Sequence, residues 1–154
     1  MLCKKCFYKH FFSSRKDGNQ LNVRQISKED TWQLRQSVMW PDKNIEYVKI
    51  DNDHEGIHYG LFDHNELCSV ISLFVQGDTA QFRKFATDTS RQGKGYGTTL
   101  LNYVINEAKE MNTKIIWCNA RKNKTTYYKR FGLTPSNETF QKGGVDYVIM
   151  SRHL

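Results

Sequence analysis

Alternation of apolar and polar residues predicts that this chain is rich in β-strands. Residues 21–26 and 57–62 alternate with a period of two, which is typical of strands buried on one face. Residues 67–75 are apolar on both faces as far as Val75, as expected for a central strand covered on both sides. Another strand lies around Phe82. Three antiparallel strands are therefore expected in the middle of the chain.

Apolar residues at helical spacing predict three helices. The first is capped by Ser27, has an acidic residue three positions later, and is expected to end at Pro41. The third, residues 121–131, is basic and ends at Gly132, a residue typical of helix C-termini. The apolar stripe of the second helix consists of Leu100, Leu101, Val104, Ile105, Ala108 and Met111.

The remaining elements complete an α/β fold. Residues 114–119 predict a short strand, and residues 139–150 predict a hairpin that turns at 141–144. The order is β-α-β-β-β-α-β-α-β-β, with a right-handed parallel crossover through the second helix. We expect residues 21–154 to form one domain and residues 1–20 to form a basic appendage, poorly ordered or loosely docked.

The most informative stretch is a glycine-rich turn, residues 92–97, which connects a strand to a helix and reads QGKGYG. Glycine permits tight turns and close approach of a ligand to the backbone. Free N–H groups at a helix start attract phosphate. The spacing matches neither the phosphate-loop pattern GxxxxGK(S/T) nor the dinucleotide-binding order GxGxxG. Taken alone, such a turn could equally be a phosphate site or a tight strand-to-helix connection that binds no ligand.

The turn resembles the Q/R-x-x-G-x-G/A motif of the GNAT family, the Gcn5-related N-acetyltransferases. Gln92, Gly95 and Gly97 stand at its three defining positions. A second segment, residues 121–133 (RKNKTTYYKRFGL), resembles the tyrosine-containing motif of the same family. The resemblance extends over roughly residues 21–151. It implies a mixed sheet with helices on both faces and a groove where the fourth and fifth strands, parallel neighbours, splay apart.

The resemblance also implies how acetyl-coenzyme A (acetyl-CoA), the co-substrate, is held. The residues of the turn that would bind its pyrophosphate are Gln92, Gly93, Lys94, Gly95, Tyr96, Gly97 and Thr98. The backbone of Phe85, Ala86 and Thr87 would pair with the pantetheine arm like an added strand. A backbone N–H there, of Phe85 or Ala86, would polarise the thioester carbonyl.

Tyr128 stands at the position of the family's catalytic tyrosine, which would protonate the leaving thiolate. Tyr127 is the alternative in the adjacent register, and two core tyrosines on one helix are the alternative without chemistry. Arg121 and Lys124 depart from the Asn and Ala that are common in the family. Lys124 could reach a cofactor phosphate or be solvated.

Further roles are less specific. Asn119 and Asn123 are candidates for hydrogen bonds to the pantetheine arm or the acceptor. The general base is not determined by the sequence. Glu46 is the first candidate because residues 40–47 cover the acceptor site in the family. His58 and Asp42 follow it, and a solvated carboxylate is the alternative for either acid.

The acceptor site is expected to involve Trp40, Arg35 and Arg83. The arginines could bind an acidic group on the acceptor or be ordinary surface or salt-bridged residues. The predicted activity is transfer of an acetyl group from acetyl-CoA to a primary amine of a small molecule or to an amino terminus. A CoA-binding module without turnover and a basic protein associated with nucleic acid are the alternatives.

Charge and hydropathy limit the classes of ligand and partner that this chain is expected to bind. The net charge of the 154 residues is +7, of which residues 1–20 contribute +4, so the rest of the chain is only mildly basic. Without a basic stripe interleaved with aromatic residues, nucleic-acid binding is weakly supported, whereas CoA offers several phosphates. We find no apolar run long enough for a membrane span and no signal peptide, so a cytoplasmic monomer or homodimer is expected.

The four cysteines indicate no metal site. Cys68 and Cys118 lie in predicted strands and are expected to be buried free thiols. Cys3 and Cys6 form a lone CxxC, and His10 is the one further ligand candidate nearby. Because a structural zinc site usually requires a second pair of ligands, we expect no metal here.

Overall fold

The computed structural model describes residues 21–154, so the predicted appendage, including Cys3 and Cys6, lies outside the described residues. The strands are β1 (Leu21–Ile26), β2 (Ile57–Asp63), β3 (Glu66–Gln76), β4 (Thr79–Thr87), β5 (Ile115–Arg121), β6 (Thr134–Lys142) and β7 (Val145–His153). The α-helices are α1 (Lys28–Leu34), α2 (Ile45–Val48), α3 (Tyr96–Glu110) and α4 (Thr125–Lys129). Apart from the short α2, this is the predicted order, and the α/β fold class is confirmed.

The seven strands of residues 21–154 form one sheet in the order β1-β2-β3-β4-β5-β7-β6. Strands β1 to β4 are an antiparallel meander. β5 is parallel to β4, and β7 and β6 then continue the sheet in antiparallel fashion. The parallel step is the predicted crossover through α3, which places the glycine-rich turn at one end of β4.

Helices cover both faces of the sheet. On one face α3 packs against β2, β3 and β4, and Leu100, Leu101 and Val104 enter the main core. On the other face α1 packs against β2 and β3, where Leu34 joins a smaller core. Each fully buried leucine contributes roughly 2 kcal/mol through burial. β4, the strand that leads into the glycine-rich turn, is therefore packed between two apolar layers.

β4 and β5 pair over only three positions, Thr79–Gln81 against Ile115–Trp117. Beyond Gln81 the two strands diverge, although β4 stays paired with β3 as far as Thr87. β5 likewise stays paired with β7 as far as Arg121. The facing edges of β4 and β5 thus carry free backbone groups along a groove, which is the splayed pair that the family resemblance implied.

Two helix predictions require correction. The first α-helix ends at Leu34 and continues as a π-helical turn, Arg35–Met39, before Pro41. The helix predicted from residue 121 is also wrong in its start, since α4 begins only at Thr125 after a 3-10 turn. β5 continues to Arg121 because its backbone pairs with Tyr147 of β7, and this tertiary pairing overrides the local helical pattern.

The prediction that β3 is buried on both faces is confirmed for the middle of the strand and is wrong for its end. Every residue from Cys68 to Leu73 is buried, whereas Val75 is 40% exposed beside the hairpin turn at Gly77. Cys68 and Cys118 are buried free thiols, as predicted. Within residues 21–154, no helix is both long and apolar enough to cross a lipid bilayer.

Candidate active site

A cavity of about 820 Å³ occupies the groove between β4 and β5. It is lined by Phe82–Thr87 of β4, by the glycine-rich turn and the start of α3, by the end of β5, and by Tyr127 and Tyr128 of α4. Ligand sites for small molecules typically have this volume. The turn, the strand edge and the tyrosine segment that the sequence singled out therefore share one cavity.

The glycine-rich turn has a backbone that requires glycine. Gly93 has φ +79° and Gly95 has φ +83°, in the left-handed region that side chains strain. Space in front of both is open, since a Cβ built on either would meet no atom within 4 Å. Gly95 is the N-cap of α3 and supplies no capping side chain. The first N–H groups of this 15-residue helix are therefore available to an anion.

Contacts on either side hold this turn in place. Gln92 donates a hydrogen bond from Nε2 to the carbonyl oxygen of Thr87 at 3.1 Å. Tyr96 donates from its hydroxyl to a carboxylate oxygen of Asp63. A Cβ at Gly97 would lie 3.1 Å from the ring of Phe85, so this glycine allows α3 to approach β4 closely. Gln92 and Tyr96 thus position the turn, and the open backbone faces the cavity.

A β-bulge interrupts β4 beside the cavity. Ser72 of β3 pairs with Arg83 and Val70 pairs with Ala86, so two residues of β4, Lys84 and Phe85, oppose a single residue of β3. Lys84 has φ +52°, a rare conformation for a lysine. An extra residue of this kind unpairs the local backbone and redirects the strand. Nothing in the sequence pattern had indicated this bulge.

The bulge resets which face of the sheet each side chain occupies. Phe82 and Phe85 both join the main core, although three positions separate them. Phe82 lies against Tyr128, with ring centroids 5.7 Å apart, and Phe85 lies against Tyr127 at 6.5 Å. The ring of Phe82, before the bulge, and the ring of Phe85, within it, therefore each contact one of the two tyrosines.

The two tyrosines differ in what their hydroxyl groups do. The hydroxyl of Tyr127 lies 3.5 Å from Oγ1 of Thr98, and its ring also contacts Phe131 and the guanidinium of Arg130. The Tyr128 hydroxyl makes no hydrogen bond to any residue from 21 to 154. Burial raises the pKa of Tyr128 above its ordinary value, so the phenol stays protonated. Tyr128 thus offers a proton that no described neighbour takes.

A sequence model of the family described as "Acetyltransferase (GNAT) domain" matches residues 26–154. The chain belongs to the GNAT acetyltransferase family. It is 30% identical over 144 residues to the uncharacterized N-acetyltransferase YitI of Bacillus subtilis (strain 168), covering 87% of this chain and 97% of that relative. Both findings make the protein an enzyme of the N-acetyltransferase class.

Solved structures of GNAT acetyltransferases share the fold. The ribosomal-protein-S18-alanine N-acetyltransferase from Escherichia coli superposes with a TM-score of 0.71 at 16% identity, covering 87% of this chain and 94% of that one. A GNAT family acetyltransferase from Elizabethkingia anophelis with acetyl-CoA bound gives 0.69 at 18% identity, covering 90% and 100%. At these identities the likeness confirms the fold and carries no information on the acceptor.

The lining of this GNAT cavity is strongly cationic. Among residues 21–154, six basic side chains line it and no aspartate or glutamate does. The six are Arg83, Lys84, Arg91, Arg121, Lys124 and Arg130. Such a field attracts anionic ligands and disfavours protonation of an amine inside the cavity.

Cys118 also lines the cavity, close enough to Tyr128 to act on its pKa, and is 3% exposed. Burial raises the pKa of its thiol to about 12, so it stays a neutral thiol rather than a nucleophilic thiolate. Within residues 21–154, no group of three or more histidine, cysteine or acidic side chains is placed to hold a metal ion.

Several predicted site residues are not brought to the cavity. Glu46 is exposed and forms an ion pair with Lys49 on α2, and Asp42 is exposed in the preceding loop. Trp40 packs edge-to-face on Tyr47 at 5.2 Å. None of these lines the cavity, and neither do Lys94 and Asn123, whereas Asn119 does.

Arg35 was a candidate for acceptor binding, and its location corrects that expectation. Its side chain is completely buried and binds both carboxylate oxygens of Asp53, at 2.8 and 2.9 Å. It also donates to Oγ of Ser72 at 2.9 Å. Arg35 therefore forms a salt bridge within the protein, which was the alternative to acceptor binding. The sequence had not indicated its partner, Asp53.

His58, a candidate base, belongs to the same buried network. Its Nε2 lies 2.8 Å from the carbonyl oxygen of Asp53, and its Nδ1 lies 2.7 Å from Oγ of Ser72. Because a carbonyl only accepts, Nε2 carries the proton and Ser72 donates to Nδ1. Burial lowers the pKa of His58, which keeps the ring neutral and occupied at both nitrogens.

Proposed function

We propose that this protein transfers the acetyl group of acetyl-CoA to a primary amine of a small molecule or to an amino terminus, by direct attack with Tyr128 as the proton donor. The observation that carries this proposal is the hydroxyl of Tyr128, which has no hydrogen-bond partner among the described residues and lines a cavity that begins at the glycine-rich turn. The family match supplies the reaction class.

The residues of the turn fit a diphosphate. Gly93 and Gly95 leave open space in front of the backbone, and the N-terminus of α3 supplies uncapped N–H groups. Lys124 and Arg130 add positive charge in the same cavity. When bound, acetyl-CoA supplies an activated thioester, and the chain's own residues hold and orient it.

The edge of β4 fits an extended pantetheine arm. Beyond Gln81 this edge has no partner strand, so backbone groups of Phe85, Ala86 and Thr87 are free to pair with a ligand. The bulge at Lys84 and Phe85 adds unpaired backbone beside Tyr128. In this proposal an N–H of Phe85 or Ala86 polarises the carbonyl as negative charge develops on its oxygen.

The amine needs no carboxylate base in this arrangement. The α-amino group at a peptide amino terminus has a pKa of about 8, so about a tenth of it is neutral at pH 7. The cationic lining lowers the pKa of an entering ammonium further. Water accepts the proton, and the exposed Glu46 takes no part. Tyr128 then donates its phenolic proton to the departing sulfur.

The test is release of free thiol from acetyl-CoA in the presence of a panel of small primary amines and short peptides. We expect release that depends on the amine, with a stoichiometric N-acetylated product detected by mass spectrometry. If acetyl-CoA binds in calorimetry but no amine or peptide releases thiol, the protein is a CoA-binding module without turnover and this proposal fails.

A further inference from the structure

Two neighbouring cations in the cavity have no anionic partner in the part of the chain that the structure describes. The guanidinium of Arg83 lies 3.5 Å from the amide oxygen of Asn52 and 5.5 Å from the ring of Phe74. Lys84 follows it in the bulge, and both side chains are partly buried. Among residues 21–154, no carboxylate lies within ion-pair distance of either. Partly buried charge without a counter-ion is costly, and a bound anion removes that cost.

Two other buried or partly buried arginines of residues 21–154 are matched by carboxylates. Arg35 binds Asp53 with both terminal nitrogens, and Arg91 forms an ion pair with Glu66. Asp53 also acts on Arg83 at longer range, but both of its oxygens are already bound by Arg35. Burial lowers the pKa of both Arg83 and Lys84, and the neighbouring positive charges lower them further. Among residues 21–154, two adjacent cations of one strand thus share a cavity without a carboxylate of their own.

Position along β4 separates this pair from the cofactor phosphates. From Thr87, next to the glycine-rich turn, to Arg83 is four strand residues, or about 13 Å. The turn side has its own cation, because Arg130 stacks on Tyr127 at 4.9 Å and that tyrosine reaches Thr98. Arg83 and Lys84 instead directly follow Phe82, whose ring contacts that of Tyr128, the proposed proton donor at the acyl end of the cavity.

We propose that Arg83 and Lys84 form a subsite for an anionic group on the acceptor, so that the substrate is an amine that also carries a carboxylate or a phosphate. This inference rests on the proposed function and deepens it. Arg83 offers a planar fork that suits either group, and Lys84 adds a second positive charge on the adjacent residue. Both are specificity residues rather than participants in proton transfer.

The experiment compares matched acceptors in the thiol-release assay. L-Alanine is paired with L-alaninamide, and phosphoethanolamine with ethanolamine, so that each pair differs in the anionic group. We expect kcat/KM for the better anionic probe to exceed that of its neutral partner by about tenfold or more, as for a charged hydrogen bond. The pair with the larger ratio distinguishes a carboxylate from a phosphate acceptor.

Arg83→Gln and Lys84→Met should each abolish that ratio, mainly through KM. Lys109→Gln removes an exposed charge outside the cavity and should preserve the ratio. Affinity for CoA should change by less than about threefold in all three variants, because the phosphates bind elsewhere. Equal rates with charged and neutral acceptors would overturn the inference. So would a matching loss of CoA affinity, or a fall in kcat with neutral amines at unchanged KM.

A second measurement tests the anion subsite even if the protein has no acetyltransferase activity with the amines tested. If the wild type releases no thiol with any amine, calorimetry of inorganic phosphate and of succinate into CoA-saturated protein still tests the subsite. Binding of one anion that is lost in Arg83→Gln and retained in Lys109→Gln would support it. Absence of binding by both anions would reject it.

Discussion

Replacing Tyr128 with phenylalanine removes one hydroxyl and leaves the packing of the ring intact. The ring lies 5.7 Å from Phe82 and 5.3 Å from Tyr127, and phenylalanine keeps both contacts. Because no described residue hydrogen-bonds the hydroxyl, its loss breaks no bond within residues 21–154. The free energy of unfolding should therefore change by no more than about 0.5 kcal/mol.

The effect on turnover should be much larger. A hydrogen bond to a developing charge contributes about 1.5–3 kcal/mol. Converted to a rate, this range corresponds to a fall in kcat of about 10- to 150-fold. The dissociation constant of acetyl-CoA should change little, since the proposal assigns its contacts to the glycine-rich turn and the β4 edge. Because burial raises the pKa of Tyr128 above its ordinary value of about 10, the phenol should stay protonated below that pH. We therefore expect no loss of activity from its ionisation below about pH 10.

The assay is thiol release at saturating acetyl-CoA with the best acceptor of the panel, together with calorimetric affinity and urea unfolding. Tyr127→Phe is the matched control, because that hydroxyl makes a single long contact of 3.5 Å with Thr98. We expect the control to keep at least about a third of wild-type activity. Wild-type kcat in Tyr128→Phe, or a larger loss in Tyr127→Phe, would refute the assignment of the proton donor.

Three further changes probe the turn and the buried network. Gly95→Val forces a branched residue to φ +83° and crowds the approach to the backbone, so CoA affinity should fall about tenfold or more. Asp53→Ala leaves the buried Arg35 without its counter-ion and should lower the free energy of unfolding by about 3–5 kcal/mol, measured by urea denaturation. His58 has a folded pKa below its unfolded value of about 6.5, so the unfolded chain binds the proton first. Stability should be full above about pH 6.5 and fall as the pH drops below it, and His58→Gln should flatten that slope.

Matched variants control the first two of these changes. Gly77→Val introduces the same left-handed strain in a hairpin away from the cavity and should leave CoA affinity unchanged. Asp78→Ala breaks an exposed ion pair with Lys114 and should cost about 1 kcal/mol at most. Unchanged affinity in Gly95→Val, equal losses in the two aspartate variants, or a pH slope that survives His58→Gln would each contradict the corresponding reasoning.

Local pattern was enough to predict most of the fold. The element order follows from alternation in the strands and from the apolar stripe of α3, because both are set by residues close in sequence. The glycines of the turn were informative for the same reason. Gly93 and Gly95 have the left-handed φ values that glycine adopts most readily, and a motif of three glycines is visible without any long-range contact.

The limits of prediction lie where distant segments meet. β5 extends to Arg121 because it pairs with β7, and no local signal separates this strand end from a helix start. The bulge at Lys84 arises from the register between β3 and β4, and no local pattern indicates that Arg83 and Lys84 both line the cavity. Arg35 also required tertiary structure, since its partner Asp53 lies 18 residues away.

The sequence by itself determined the family, the order of elements and the position of the glycine-rich turn, because each depends on residues adjacent in the chain. Only the tertiary structure decided which charges are matched. Arg35 is neutralised within the protein, whereas Arg83 and Lys84 face a cavity without a carboxylate among residues 21–154. Whether a cation binds a ligand depends on the counter-charges around it, and folding brings those from distant parts of the chain.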